Sequence, residues 1–303
     1  MKPRVLVLLA AYNGRVWIEE QIKSILDQVG VSVHVVISVD ASKDGTEDFL
    51  SSWAGVEQRI TCLPHGLKFG GAAANFFRLV TDTPMEGYDY VAFADQDDIW
   101  LPEKLLRAHQ VISEGGFSAY SSDVLAFWPD GRELAIRKSQ PQVAYDYLFE
   151  AAGPGCTYVF TQQLAAAIKQ SVVRQQSKMA GVDLHDWYAY AYARANGYRW
   201  YIDDQMHMLY RQHANNQVGV NSGVAAFRRR LRQVFDGWWL SQAKLLAELT
   251  GTLHAPFVRT WQSGTRQGLI RLALSGKHCR RRTRDKWIFT LLCIGLAVKG
   301  IKK

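Results

Sequence analysis

The chain has 303 residues, 48% hydrophobic and 21% charged, which allows one large domain or a domain with an appendage and excludes a disordered or fibrous chain. Its formal charge of +8 is unevenly spread: residues 1–222 carry 19 Lys and Arg against 25 Asp and Glu, and residues 223–303 carry 17 against 3. Four scattered cysteines without a CxxC pair (Cys62, Cys156, Cys279 and Cys293) exclude a disulfide framework and a cysteine-rich zinc site, and fit a reducing compartment.

Residues 5–11 form a continuous apolar run closed by Tyr12-Asn13-Gly14. The run is too short for a convincing signal peptide and reads as a strand buried on both faces. Over residues 15–28, Ile18, Ile22, Ile25 and Leu26 share one helical face. A second β-branched run, 31–39, ends in Asp40. Asp44, with Glu47 three residues on, predicts the cap of a short helix through Trp53. A strand over 59–63, a helix over 72–80 and a strand over 88–94 follow. The last of these runs directly into Asp95-Gln96-Asp97-Asp98. Pro102-Glu103 opens another helix, and 117–127 predicts one more strand. This alternation implies right-handed crossovers and a mainly parallel sheet, whose ligands bind beyond the carboxyl ends of the strands. Three polar turns fall at that edge: Tyr12-Asn13, Asp40 to Asp44, and Asp95 to Asp98.

The first turn lacks G-x-G-x-x-G and no GxxxxGK[ST] loop occurs, so a dinucleotide redox enzyme or a P-loop NTPase is disfavoured. Asp95, Asp97 and Asp98 are hard oxygen donors of the kind that hold Mg²⁺ or Mn²⁺ beside substrate phosphates. Three carboxylates in four residues repel one another unless a cation lies among them. A nucleotide sugar, with its metal-bound diphosphate, meets both requirements.

With these three motifs in order, residues 4–215 resemble the family 2 inverting glycosyltransferases, which have the GT-A fold: a mainly parallel central sheet flanked by helices. The resemblance implies a nucleotide-sugar set of Ala11, Tyr12, Asn13, Asp40, Asp44, Asn75, Asp95, Gln96 and Arg211, and a metal set of Asp97, Asp98 and His213. Asp-Gln-Asp-Asp-Ile-Trp at 95–100, with Tyr210-Arg211-Gln212-His213-Ala214-Asn215-Asn216, looks most like the rhamnosyltransferase branch. That branch implies dTDP-rhamnose as donor and a bacterial surface glycan or glycolipid as acceptor. The implied catalytic half spans 1–222, with nucleotide-sugar binding in 1–127 and the acceptor half in 128–222.

In the acceptor half, His185-Asp186-Trp187 opens an alanine- and tyrosine-rich helix ending near Gly197. Inverting transfer needs one base to take the acceptor hydroxyl proton, and by the resemblance Asp186 is that base, with Asp183 next in line. His185, where the family often has Glu, either orients Asp186 or caps the helix. Trp187, Gly155 and Cys156 complete the expected acceptor side, Gly155 permitting close backbone approach.

Residues 223–303 read as a cationic helical tail, with Arg228-Arg229-Arg230-Leu231-Arg232, then Arg280-Arg281-Arg282, Arg284 and Lys286 ahead of an apolar run over 287–298. That run makes a helix of about 18 Å against a hydrocarbon core of about 30 Å, too short to cross a membrane; it either lies on one as an interfacial helix or packs on the body of the protein. No nucleic-acid module accompanies the charge. The expected partner is the anionic inner surface of the cytoplasmic membrane, to which a cytoplasmic enzyme attaches peripherally. Two other functions fit parts of the pattern: a nucleotidyltransferase making nucleotide sugars, and a non-catalytic polyanion-binding protein.

Overall fold

The computed structural model describes residues 1–213 and 234–300, which gather into two compact units. One holds Met1–Ser139, Ala152–Asp186 and 197–213; the other holds Gln140–Ala151, Trp187–Asn196 and 234–300. The division expected at residue 222, the Arg228–Arg232 cations, and Ala214, Asn215 and Asn216 lie outside the described residues.

In the first unit the strands are β1 (Arg4–Ala11), β2 (Ser32–Val39), β3 (Ile60–Cys62), β4 (Tyr90–Ala94), β5 (Ile99–Trp100), β6 (Ala119–Ser122), β7 (Val124–Phe127), β8 (Glu133–Ile136), β9 (Val159–Thr161), β10 (Trp200–Asp203) and β11 (Met208–Arg211). The main sheet has the order β10-β6-β9-β4-β1-β2-β3, parallel except where β9 enters antiparallel between β4 and β6. β1 is buried along nearly its whole length, as its unbroken apolar run requires. It pairs with β2 on one side and β4 on the other, so Leu9 is in register with both Ile37 and Ala94. The strand order reverses between β1 and β4. The switch-point crevice therefore opens at the ends of the two strands that lead into Tyr12-Asn13 and Asp95–Asp98.

Helices α1 (Ile18–Leu26), α2 (Thr46–Ala54), α3 (Ala72–Asp82) and α4 (Lys104–Gly115) connect these strands, each burying one apolar face, and α5 (Gln162–Arg174) and α6 (Gln176–Met179) follow β9. The single strand expected over 117–127 is instead two, β6 in the main sheet and β7 in a second sheet of order β5-β11-β7-β8. Asp123 sits at the break. Its amide donates to Asp203 O, while its carboxylate accepts the amides of Lys138 and Ser139, so the chain changes sheets around a buried, satisfied acid.

The second unit is helical, and its core includes Leu148, Phe149, Leu240, Trp261, Leu269, Leu272, Phe289, Cys293 and Leu296. At its centre the fully buried Asp146 accepts hydrogen bonds from Tyr190 Oη (2.8 Å), Arg194 Nη1 (3.1 Å) and Arg281 Nη1 (3.0 Å). The closing helix, Thr283–Lys299, buries Phe289, Cys293, Leu296 and Ala297.

Candidate active site

The turns that follow β1 and β2 are laced together. Asn13, the one described non-glycine residue with positive φ (46°), accepts the Lys43 amide on Oδ1 (2.8 Å) and donates its own amide to Ser42 Oγ (3.0 Å). Asp44 accepts the Arg15 and Thr46 amides and the Thr46 hydroxyl. Burial works against its charge, but these donors hold its pKa below the usual value. The expected pairing of Asp44 with Glu47 is replaced: α2 begins at Thr46, and Glu47 accepts the Ser42 amide instead.

Asp40 accepts the amides of Ala41 and Phe69 on Oδ1 and of Gly70 on Oδ2, each at 2.9 Å, tying the loop before α3 to the end of β2. Asn75 Nδ2 donates to Ala11 O (3.2 Å) and Ser38 O (3.0 Å), clamping the ends of β1 and β2. Beside these committed groups Tyr12 stands 54% exposed at the edge.

Gln96 pairs with Tyr12 as a strand neighbour would, accepting the Tyr12 amide (2.7 Å) and donating to the Tyr12 carbonyl (2.9 Å) across the switch point. Gly14 lies beneath it, and a Cβ there would come within 2.1 Å of Gln96 Oε1 and displace the amide from Tyr12. Asp97 Oδ2 lies 2.7 Å from His213 Nε2, whose ring stacks on Trp17 at 3.9 Å. Asp98 is fully buried. One oxygen accepts the Arg211 amide (3.2 Å), and the other, Oδ2, has no hydrogen-bond partner. The Arg211 guanidinium donates to Asp97 O (2.8 Å) and pairs with Glu20, so it braces the acidic turn.

Ligand atoms of Asp95, Asp98 and Cys156 lie within 4.8 Å of one another. Burial, then the charges of Asp97 and Asp186, push Asp95 up to about 7. Burial and the neighbouring carboxylates raise Asp98 well above the carboxylate range. A hard divalent cation fits such a donor set, since it would relieve this repulsion and complete the orphaned Asp98 oxygen. Cys156 is the poorest donor of the three, because a hard divalent cation prefers carboxylate oxygen to thiol sulfur.

Asp186 lies close enough to Asp95 for its charge to act there. Gly155 packs against this point: a Cβ on it would come within 2.9 Å of His185 Nε2 and 3.0 Å of Asp186 Cβ. His185 begins α7 (His185–Ala195), its ring stacked on Phe76 at 3.8 Å, with Nε2 buried and unpartnered and its pKa driven to about 3 by burial. The ring lies flat on Phe76 next to Gly155, in the sequence position just before Asp186. Trp187 is buried, its indole N–H donating to Tyr147 O (2.9 Å).

Lys104 was not singled out by the sequence. It is wholly buried with its ammonium 3.5 Å above the Trp100 ring, Nζ without a hydrogen-bond partner, and its pKa lowered to about 7 by burial. A lysine as the first residue of the helix that follows the acidic turn is the one signal that could have flagged it.

The family model for glycosyl transferase family 2 matches residues 6–158. The chain belongs to that family. It is 40% identical over 290 residues, covering 94% of this chain and 99% of the relative, to a dTDP-rhamnosyl transferase, RfbG, of Shigella flexneri. Its fold matches S. aureus TarS residues 1–349, solved in complex with UDP-GlcNAc, with a TM-score of 0.55 at 13% identity over 98% of this chain and 92% of that one. The mannosyltransferase PcManGT of Pyrobaculum calidifontis, in complex with GDP-Man and Mn²⁺, matches with a TM-score of 0.51 at 17% identity over 99% and 87%. The chain is therefore a glycosyltransferase of GT-A fold, which supersedes the nucleotidyltransferase and non-catalytic readings. Its substrate is accordingly a nucleotide-sugar donor.

Proposed function

We propose that this glycosyltransferase moves L-rhamnose from dTDP-rhamnose to a hydroxyl of a bacterial surface glycan or glycolipid, with inversion at the anomeric carbon. The observation that carries the donor is the 40% identity, over nearly the full length of both chains, to a dTDP-rhamnosyl transferase. In this reading the base and ribose lie at the edge formed by Ala11, Tyr12 and Asn13, with Tyr12 as stacking face. Asp40, Asp44, Asn75 and Gln96 hold that edge in shape through their backbone bonds. Asp95 faces the ribose. Asp97, Asp98 and His213 would hold Mg²⁺ or Mn²⁺, which supplies positive charge against the donor diphosphate. Arg211 holds the acidic turn in position. Asp186 takes the proton of the acceptor hydroxyl as its oxygen attacks in line, and Gly155 and Cys156 form the floor beside it. His185 and Trp187 support α7 by packing.

The enzyme works in the cytoplasm on the inner face of the membrane, drawn there by its cationic chain end. No helix among the described residues is long and apolar enough to cross a membrane.

Heat protection by a panel of nucleotide sugars with Mn²⁺ tests the donor. dTDP-rhamnose at a hundredfold its Kd is expected to stabilise by about 2.7 kcal/mol, and stronger protection by a UDP- or GDP-sugar overturns the donor assignment. In the same assay Asp186→Asn should keep that protection while transfer falls ~10²-fold or more. Transfer within a few-fold of the parent moves the base elsewhere.

A further inference from the structure

The closing helix, Thr283–Lys299, is apolar on two sides, and the chain covers only one of them among the described residues. Phe289, Cys293, Leu296 and Ala297 are buried in the helical core. On the other side Trp287, Leu291, Ile294 and Val298 are exposed, at 67%, 66%, 45% and 76%. Their spacing of four, three and four residues puts them within an arc of about 60° and along about 17 Å of helix. A helix apolar all round is normally enclosed on every side. The helix Arg266–Leu274, which packs on it through the Thr290 hydroxyl to Ala273 O (3.0 Å), adds the exposed side chains Ile270 and Leu274.

Cations rim the apolar stripe. At its N-terminal end Arg282, Arg284 and Lys286 line an open cavity of about 640 Å³, with Arg281 at its base and no acidic side chain in the lining. Asp285, the acid nearest by sequence, is matched by Arg280 and Arg284. Arg271 and Lys277 are exposed, and Lys299 follows at the far end.

We propose that this uncovered side of the closing helix is the surface by which the enzyme lies on an anionic phospholipid bilayer. Arg282, Arg284 and Lys286 meet the headgroup phosphates, while Trp287, Leu291, Ile294 and Val298 sink into the acyl boundary. The proposal rests on the membrane reading above and adds its orientation: the helix lies flat, since its stripe is too short to span. Charge decides for lipid over a second copy of the chain. Two faces rimmed by cations repel each other, whereas a phosphatidylglycerol surface attracts both the rim and the indole at its edge.

Co-sedimentation of the full chain with phosphatidylglycerol-rich vesicles, against phosphatidylcholine alone, tests this. The parent is expected to bind the anionic vesicles, more weakly as salt rises. Trp287→Gln, Leu291→Gln and Ile294→Gln together should cost at least about tenfold in affinity, each removing buried apolar area at the surface. Arg282→Gln, Arg284→Gln and Lys286→Gln together should cost roughly fivefold per charge at low salt. Both variants should keep the parent melting temperature and its turnover of a short soluble acceptor. A parent that ignores anionic vesicles overturns this proposal and the membrane reading together. Variants that bind like a vesicle-binding parent overturn the face alone. So do two further results at unchanged vesicle binding: a fall of several degrees in melting temperature, meaning the chain itself covers the stripe, or a parent dimer that the apolar variant dissociates.

Discussion

His185 and Gln96 do work that their residue types do not announce. Gln96 uses its amide as a piece of backbone to join β4 to the turn after β1, and His185 uses its ring as an apolar plate on Phe76. The burial of His185 has a consequence for stability against pH. Its folded pKa of about 3 lies below the ordinary histidine value of 6.5, so between these limits the unfolded chain binds a proton that the native state refuses. Stability should therefore fall as pH drops through 6.5 and keep falling towards 3, by up to about 1.4 kcal/mol per pH unit from this group. His185→Phe should remove that slope, leaving urea midpoints at pH 7.5 nearly unchanged and raising those at pH 4.5 relative to the parent. Parallel pH profiles for the two proteins would refute the assignment.

Among elements, the second unit is pinned by one buried acid. Asp146 brings together Tyr190 and Arg194 from α7 and Arg281 from just before the closing helix, while Arg281 also donates to Ala151 O (2.7 Å). By sequence, Arg280 and Arg281 belong to the cationic stretch expected at a membrane surface. In the structure Arg281 is fully buried and Arg280 donates to Phe149 O (2.9 Å), because their charges satisfy Asp146, Glu150 and free carbonyls rather than solvent. Removing one partner of such a pair strands a charge in the core, so Arg281→Ala is expected to cost about 3–5 kcal/mol in chemical denaturation. Arg284→Ala, at an exposed ion pair with Asp285, should cost less than about 1 kcal/mol. Equal effects for the two would mean that Asp146 is not the organising charge.

On the scale of the whole molecule, the cationic tail is structure as well as surface. Deleting residues 277–303 leaves every proposed donor, metal and base residue in the chain, yet it strips Arg281, Phe289, Cys293 and Leu296 from the helical core. Phe289 and Leu296 alone account for about 1.5–3 kcal/mol each, a large share of a typical total of about 5–15 kcal/mol. The truncated chain is expected to precipitate, or to lose the cooperative melt of its helical unit. A truncated protein that melts as sharply as the parent, at the same temperature, would show instead that the tail is separable.

The alternation of apolar runs with polar turns was enough by itself to determine the parallel sheet, its burial and the edge where chemistry gathers. Strand period and turn chemistry are local, and residues 5–11, Tyr12-Asn13-Gly14 and Asp95-Gln96-Asp97-Asp98 carry them without reference to the rest of the chain. The nearness of Asp186 to Asp95 was not legible that way, because they stand 91 positions apart and only tertiary packing, with Gly155 against His185 and Asp186, brings them together. Nor was the break at Asp123, where an apolar run that reads as one strand divides between two sheets to satisfy one buried carboxylate. The same holds for the tail. Composition marks its arginines only as one cationic stretch, and the tertiary structure alone decides which of them meet a buried acid. Whether an ionic group faces water depends on partners far along the chain, and neither local spacing nor composition specifies those.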